Sequence, residues 1–258
     1  MDRSTETFSK RGASPGAAAA EAAGLDWLRE AEAEGGARVV RVLGTQGDTL
    51  QLERLHHSRP GPTAARDFGA ALAATHDAGA RWFGAPPDDW DGPCFLGRQE
   101  LPVLLGPSAW GPFYAEHRVL FYLDRAERRG HVSREEADLV RRACERIAVG
   151  EFDGGEEPAR LHGDLWNGNV VWTPDGAVLI DPAAHGGHRE TDLAMLALFG
   201  CPDLEDVLAG YARAHPLRPG WRERMPLHQL HPLAVHAASH GSSYAAPLAD
   251  AARAVLAL

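Results

Sequence analysis

Residues 170–181 read Val-Val-Trp-Thr-Pro-Asp-Gly-Ala-Val-Leu-Ile-Asp and narrow the fold more than any other stretch. Two short apolar runs flank a Thr-Pro-Asp-Gly turn at 173–176, and Pro and Gly at those positions predict a tight β-hairpin. Folding 170–172 against 177–180 brings the outer flanks together, so Asn169 and Asp181 face each other at the open end. Paired strands lie about 4.8 Å apart, so an amide oxygen and a carboxylate there can share one ion. That incomplete oxygen set suits Mg2+ that is also held by substrate phosphates. The hairpin is entered through His162-Gly-Asp-Leu-Trp-Asn-Gly-Asn169, which puts Asp164 within reach of a substrate hydroxyl beside the metal.

Composition sharpens this. Of 26 basic residues 25 are Arg, and Lys10 is the one Lys; Asn167 and Asn169 are the only asparagines. Arg is a planar fork and Lys a compact point charge, so a site shaped around one rejects the other. A Lys that survives in an Arg-rich chain points to chemistry. Lys10 ends a short strand at residues 5–10, with Phe8 on one face. Glu21 lies early in a helix over about residues 17–34, which carries Ala22, Leu25 and Leu28 at helical spacing and stops at Gly35-Gly36. A strand Lys with a helix Glu, a catalytic-loop Asp, and an Asn with a second Asp for metal are the parts of the phosphoryl-transfer template.

Elsewhere, 39–43 and 49–55 predict a hairpin around 44–48, with Leu50 and Leu52 alternating. The His56–Pro62 linker separates a small α+β lobe, residues 1–56, from a mostly helical part, residues 57–258. Helical patterns fall at about 63–83, 112–129 and 133–148, the last opened by a Ser133/Glu136 capping box, and resume from 190 onward. Residues 84–112, rich in Gly, Pro and Trp, read as a long loop over a cleft. No apolar run approaches the roughly 18 residues of a membrane span. Three scattered cysteines fit a reducing, cytoplasmic setting, and a net charge of −10 disfavours nucleic acid as a partner. The oligomeric state is not legible.

The chain resembles the fructosamine kinase (ketosamine-3-kinase) family, within the aminoglycoside phosphotransferase and choline kinase group. The likeness is carried by His162-Gly-Asp-Leu-Trp-Asn-Gly-Asn169, Ile180-Asp-Pro182, Gly187-His-Arg-Glu-Thr-Asp-Leu-Ala-Met195 and Leu198-Phe-Gly200. Weaker matches are Glu21-Ala-x-Gly-Leu25, Trp110-x-x-Phe-Tyr-x-Glu-x-Arg118 and the stretch from His228 to Tyr244, so that it covers nearly all of residues 8–257. The resemblance implies an α+β, protein-kinase-like two-lobe fold with a helical C-lobe and a catalytic hairpin. It implies ATP-dependent phosphorylation of a ketosamine at its 3-hydroxyl, a deglycation step. By position, Asp164 is then the catalytic base, and Asn169 and Asp181 are the metal ligands. Lys10 is the phosphate contact held by Glu21, Glu53 to Leu55 contact adenine, and Trp166 and His236 line the sugar pocket. Two departures stand out. Family members begin some thirty or more residues earlier, with a first strand and a glycine-containing hairpin over the ATP phosphates, so either the start was placed too late or the N-lobe is cut down. His185-Gly186 replaces the family's aromatic pair.

Plainer roles compete at several positions. His162 is expected to brace the catalytic loop, and Asp192 to cap its helix or brace that loop. Trp166 divides between core and sugar-stacking surface. His228, His231, His236 and His240 suggest a metal cluster, against which stands a chain with no clustered Cys. Arg125, Arg128, Arg129 and Arg134 read as a solvated helix face. The rival functions are a kinase for another hydroxyl compound, such as an aminoglycoside, a choline-like amine or a free sugar, and a kinase-fold relic that binds without turnover.

Overall fold

The computed structural model describes residues 6–258; Thr5, at the start of the expected first strand, lies outside the described residues. Strand β1 (Thr7–Arg11) leads into α1 (Ala17–Glu30), which tightens into a 3₁₀ turn at Ala31–Glu34 and ends on Gly35 with φ +88°. Strands β2 (Val42–Gln46) and β3 (Thr49–Glu53) complete an antiparallel sheet of order β1-β3-β2. The expected hairpin therefore forms with its first arm displaced by three residues, a second arm that ends at Glu53, and a two-residue turn, Gly47-Asp48. Val39 is not part of that arm but bridges Leu179 in parallel. Leu50 and Leu52 are buried, as their alternation requires, while Phe8 is 47% exposed.

Helix α2 (Pro62–Asp77) opens on Pro at its first position, and β4 (Cys94–Leu96) pairs with β5 (Gln99–Leu101) within the stretch expected to be loop. Cys94-Phe-Leu-Gly-Arg-Gln-Glu-Leu101 carried that signal, two short runs around Gly97-Arg98. Helix α3 (Trp110–Tyr114) runs through a widened π turn at Ala115–Leu120 into α4 (Phe121–Arg128). Helix α5 (Arg134–Ala148) begins with the expected capping box, Ser133 and Glu136 bonding each other's backbone N–H.

Strand β6 (Ala159–Leu161) pairs across the chain with β9 (His185–Gly187), and between them lies the hairpin of β7 (Val170–Thr173) and β8 (Gly176–Leu179). Helices α6 (Glu190–Phe199), α7 (Leu204–Ala214), α8 (Met225–His240) and α9 (Ala245–Ala257) finish the chain. Among the described residues no helix is long and apolar enough to cross a membrane.

Two cores hold these elements. One joins α3 to α5 with α8 and α9; the other joins α1, the small sheet, α2 and α7 to the β7–β8 hairpin. The second core positions the site. Val40 N–H donates to Leu179 O at 3.0 Å and Leu179 N–H to Arg38 O at 2.9 Å, which ties the segment before β2 to the β7–β8 hairpin. Gly24 lets α1 lie close on the chain just past Asp181: a Cβ there would sit 3.2 Å from that of Ala184. That approach carries Glu21, one turn earlier on α1, to the open end of the hairpin.

Candidate active site

The hairpin ends as its turn chemistry dictates, with Pro174-Asp175 at the tip and Gly176 at φ +117°. At the open end Ile180 N–H donates to Asn169 O at 3.1 Å, so the backbone partner of Asn169 is Ile180 and Asp181 stands one residue beyond. Asp181 adopts φ +54°, a left-handed backbone that a non-glycine residue holds only where the surroundings fix it. Its Oδ1 meets Lys10 Nζ at 2.8 Å, and the same ammonium bonds Glu21 at 2.8 and 3.0 Å. Burial pulls the Lys10 ammonium down, but the two carboxylates outweigh it and hold its pKa above the ordinary value.

The loop carrying Asp164 is braced from beneath. Asp192, buried in the first turn of α6, accepts the backbone N–H of His162 at 2.8 Å and of Gly163 at 3.0 Å, and meets His76 Nε2 at 3.2 Å. Its role is the bracing one. His162 donates through Nε2 to Ile180 O at 2.9 Å and accepts Asp164 N–H on Nδ1 at 3.2 Å, which makes it a neutral strut. Gly163 has φ +80° and a Cβ there would lie 2.2 Å from Ala183 O, so no other residue fits.

Asn169 Nδ2 donates to Asp164 O at 2.8 Å and to Asp164 Oδ2 at 3.1 Å. Burial pushes the Asp164 carboxyl up to about 6, with the Asn169 bond offsetting part of the rise. The Asn169 amide oxygen takes no hydrogen bond among the described residues, and with the Asp181 carboxylate it supplies the hard oxygen donors that Mg2+ accepts.

Two cavities meet at Asp164, Trp166 and Gly97. One, of about 300 Å³, is lined by Lys10, Glu21, Asn169 and Asp181. The other, of about 720 Å³, runs to His236, which stacks in an aromatic row with Phe199, His240 and Tyr244 at centroid distances of 4.5 to 5.0 Å. Leu165 is fully buried and anchors the loop, whereas Trp166 is 41% exposed at the junction.

This arrangement can hold a phosphate chain against a cation and an oxygen-ligated metal while presenting an acceptor to a carboxylate. The sequence matches the fructosamine kinase family profile over residues 9–257.

The chain belongs to the fructosamine kinase family.

It is similar to an Enterococcus faecium protein assigned as a ketoamine kinase, 34% identical over 207 residues, which span 78% of this chain and 69% of that one. A Thermus thermophilus protein similarly assigned is 32% identical over 231 residues, 89% of this chain and 79% of its own. Among solved structures, a Thermobifida fusca protein assigned as a fructosamine-3-kinase superposes with a TM-score of 0.90 at 46% identity, covering 98% of this chain and 86% of that one. An aminoglycoside phosphotransferase in ternary complex with ADP and hygromycin B shares the fold alone, with a TM-score of 0.60 at 12% identity, over 92% of this chain and 82% of that one. This fructosamine kinase family member is an ATP-dependent phosphotransferase with the expected kinase-like fold.

The structure thus brings together Lys10, Glu21, Asp164, Trp166, Asn169 and Asp181, with His236 along the larger cavity. Glu53 and Leu55 are elsewhere: they line a cavity of about 800 Å³ beside Thr173–Asp175, at the opposite end of the hairpin. The Glu53 carboxylate is buried and accepts Arg41 N–H at 3.1 Å and Arg38 at 3.2 Å. His185-Gly186 lines neither cavity of the site. His185 is buried against Ala183 O at 2.8 Å and Arg118 at 3.3 Å, and burial with the Arg118 charge takes its pKa to about 3.

The α8 histidines do not form one cluster. His228 joins His188 and Glu190 in a buried group in which Arg224 already binds both Glu190 oxygens, at 2.6 and 3.1 Å. Burial pushes the Glu190 carboxyl up, but bonds from His228 and Arg224 outweigh it and hold it at about 2. Missed from sequence were Gly97, Arg98 and Gln99, at the tip of the β4–β5 hairpin; Arg129 is exposed, as expected of a solvated face, and it also lines the larger cavity.

Proposed function

We propose that the chain transfers the γ-phosphoryl group of ATP to a sugar hydroxyl of a ketosamine, the 3-hydroxyl by family resemblance. The observation that carries this reading is the position of Asp164, at the mouth shared by a cation-and-carboxylate cavity and an aromatic-lined one. Asp164 takes the hydroxyl proton as the new O–P bond forms and the bond from the γ-phosphorus to the ADP oxygen breaks. A pKa of about 6 leaves it ionised at neutral pH yet basic enough to accept that proton. Asn169 holds the carboxylate through its amide N–H. Lys10 binds phosphate oxygens and Glu21 orients it. Asn169 and Asp181 would hold Mg2+, which when bound neutralises charge on the phosphates. Trp166 and His236 offer ring faces to the sugar.

A coupled ADP-release assay with MgATP and ribulose-lysine or fructose-lysine tests the reading. Turnover should depend on the sugar adduct and vanish in Asp164→Asn. Absence of adduct-dependent turnover, or an unaffected variant, overturns it.

A further inference from the structure

The larger cavity is uneven in charge. Among the described residues lining it, Asp164 is the one carboxylate, and it sits at the end shared with the phosphate side. The cationic groups are Arg98, on the turn between β4 and β5, and Arg129, just past the end of α4. Neither has an acidic partner among the described residues; Arg129 donates to Ala238 O, and the nearby Glu100 is taken by Arg125 at 3.4 Å. The hairpin carrying Arg98 is pinned to α8, since Gln99 Nε2 donates to Ser239 Oγ at 2.9 Å. Arg98 and Arg129 are exposed at the cavity rim without a carboxylate partner, which leaves them open to an anion from outside, and Arg suits a carboxylate through paired N–H bonds.

We propose that Arg98 and Arg129 form an outer subsite for a carboxylate on the amine half of the acceptor. The preferred substrates are then ketosamines of amino acids with a free carboxylate, and polycations such as aminoglycosides are repelled. This rests on the ketosamine kinase reading above. A volume of about 720 Å³ holds the sugar at Trp166 and an amino-acid tail reaching the rim. An aminoglycoside needs carboxylates for its ammonium groups, and this cavity offers one, committed to chemistry.

The test is a matched pair of acceptors differing only in the carboxylate, Nε-fructosyl-lysine and fructosyl-cadaverine, assayed by ADP release. Wild type should favour the first by about tenfold in kcat/KM, mainly through KM, as a charge-assisted hydrogen bond supplies. The ratio should fall to near one in the double variant Arg98→Gln/Arg129→Gln and invert in Arg98→Glu, with thermal unfolding confirming that each variant folds. Equal turnover of the two acceptors by wild type overturns the subsite and leaves the kinase reading intact. A preference unchanged in the arginine variants overturns the assignment to these residues. Turnover of neither acceptor overturns the underlying reading, and the subsite with it.

Discussion

Lys10 and Asp181 meet at 2.8 Å, although one lies near the end of the first strand and the other follows the second arm of the β7–β8 hairpin. Glu21 completes the contact from α1. A lone ammonium held between two carboxylates is placed to exchange one of them for phosphate oxygens. The site is thereby charged and aligned before any nucleotide arrives.

Replacing Lys10 should therefore disable phosphate binding and not folding. Lys10→Met is expected to lower kcat/KM for ATP by about 10²–10³-fold, the usual cost of one preorganised donor. Lys10→Arg should stay within tenfold of Lys10→Met, because a fork cannot occupy a point-charge site. Steady-state kinetics with unchanged far-UV circular dichroism checks this; full rescue by Arg contradicts it.

Asp192 is the keystone of the catalytic loop, and its loss should be felt as stability. Asp192→Asn turns an amide toward backbone donors that now bond a carboxylate, at a cost of about 2–3 kcal/mol. Urea unfolding measures that directly. A midpoint within error of wild type would mean that the loop is held by something else.

Acid should destabilise the fold earlier than its carboxylates require. His76, His162, His185, His188 and His231 are buried, and burial lowers the pKa of each below the ordinary histidine value. The unfolded chain then binds more protons than the folded one once pH drops below about 6.5, so stability falls as pH falls. A melting temperature roughly 5 °C lower at pH 5.5 than at pH 7.5 is expected. A flat profile would show these rings already charged in the native state.

Trp166 separates packing from recognition. At 41% exposure its indole contributes little to the core, while it borders both cavities. Trp166→Ala should raise the acceptor KM by about tenfold, the loss of one aromatic contact, with a melting temperature within about 2 °C of wild type. Acceptor kinetics beside a thermal melt decides it.

The hairpin, the Lys10–Glu21 pair and the Ser133–Glu136 capping box were legible because each is local or carried by rare residues. Turn chemistry fixes a hairpin within a dozen residues, and one Lys among 26 basic residues announces itself. The bracing by Asp192 was half legible, since cap and brace place the same carboxylate at a helix start. What stayed hidden depends on tertiary direction. Arg128 and Arg129 are both exposed, and spacing along the chain does not say that Arg129 also borders the cavity. Val39 reads as hairpin arm, but Leu179 competes for its backbone. Glu53 and Leu55 were placed by family position, and a buried Arg38–Glu53–Arg41 network leaves no trace in spacing.

The most direct test of the account is the pH dependence of ketosamine-dependent ADP formation by wild type beside Asp164→Asn. The account predicts that kcat/KM falls on the acid side with an apparent pKa near 6, as Asp164 takes up a proton, and that Asp164→Asn loses about 10³-fold or more at every pH. Ketosamine-dependent turnover in Asp164→Asn with the same rate and the same acid limb as wild type would contradict it.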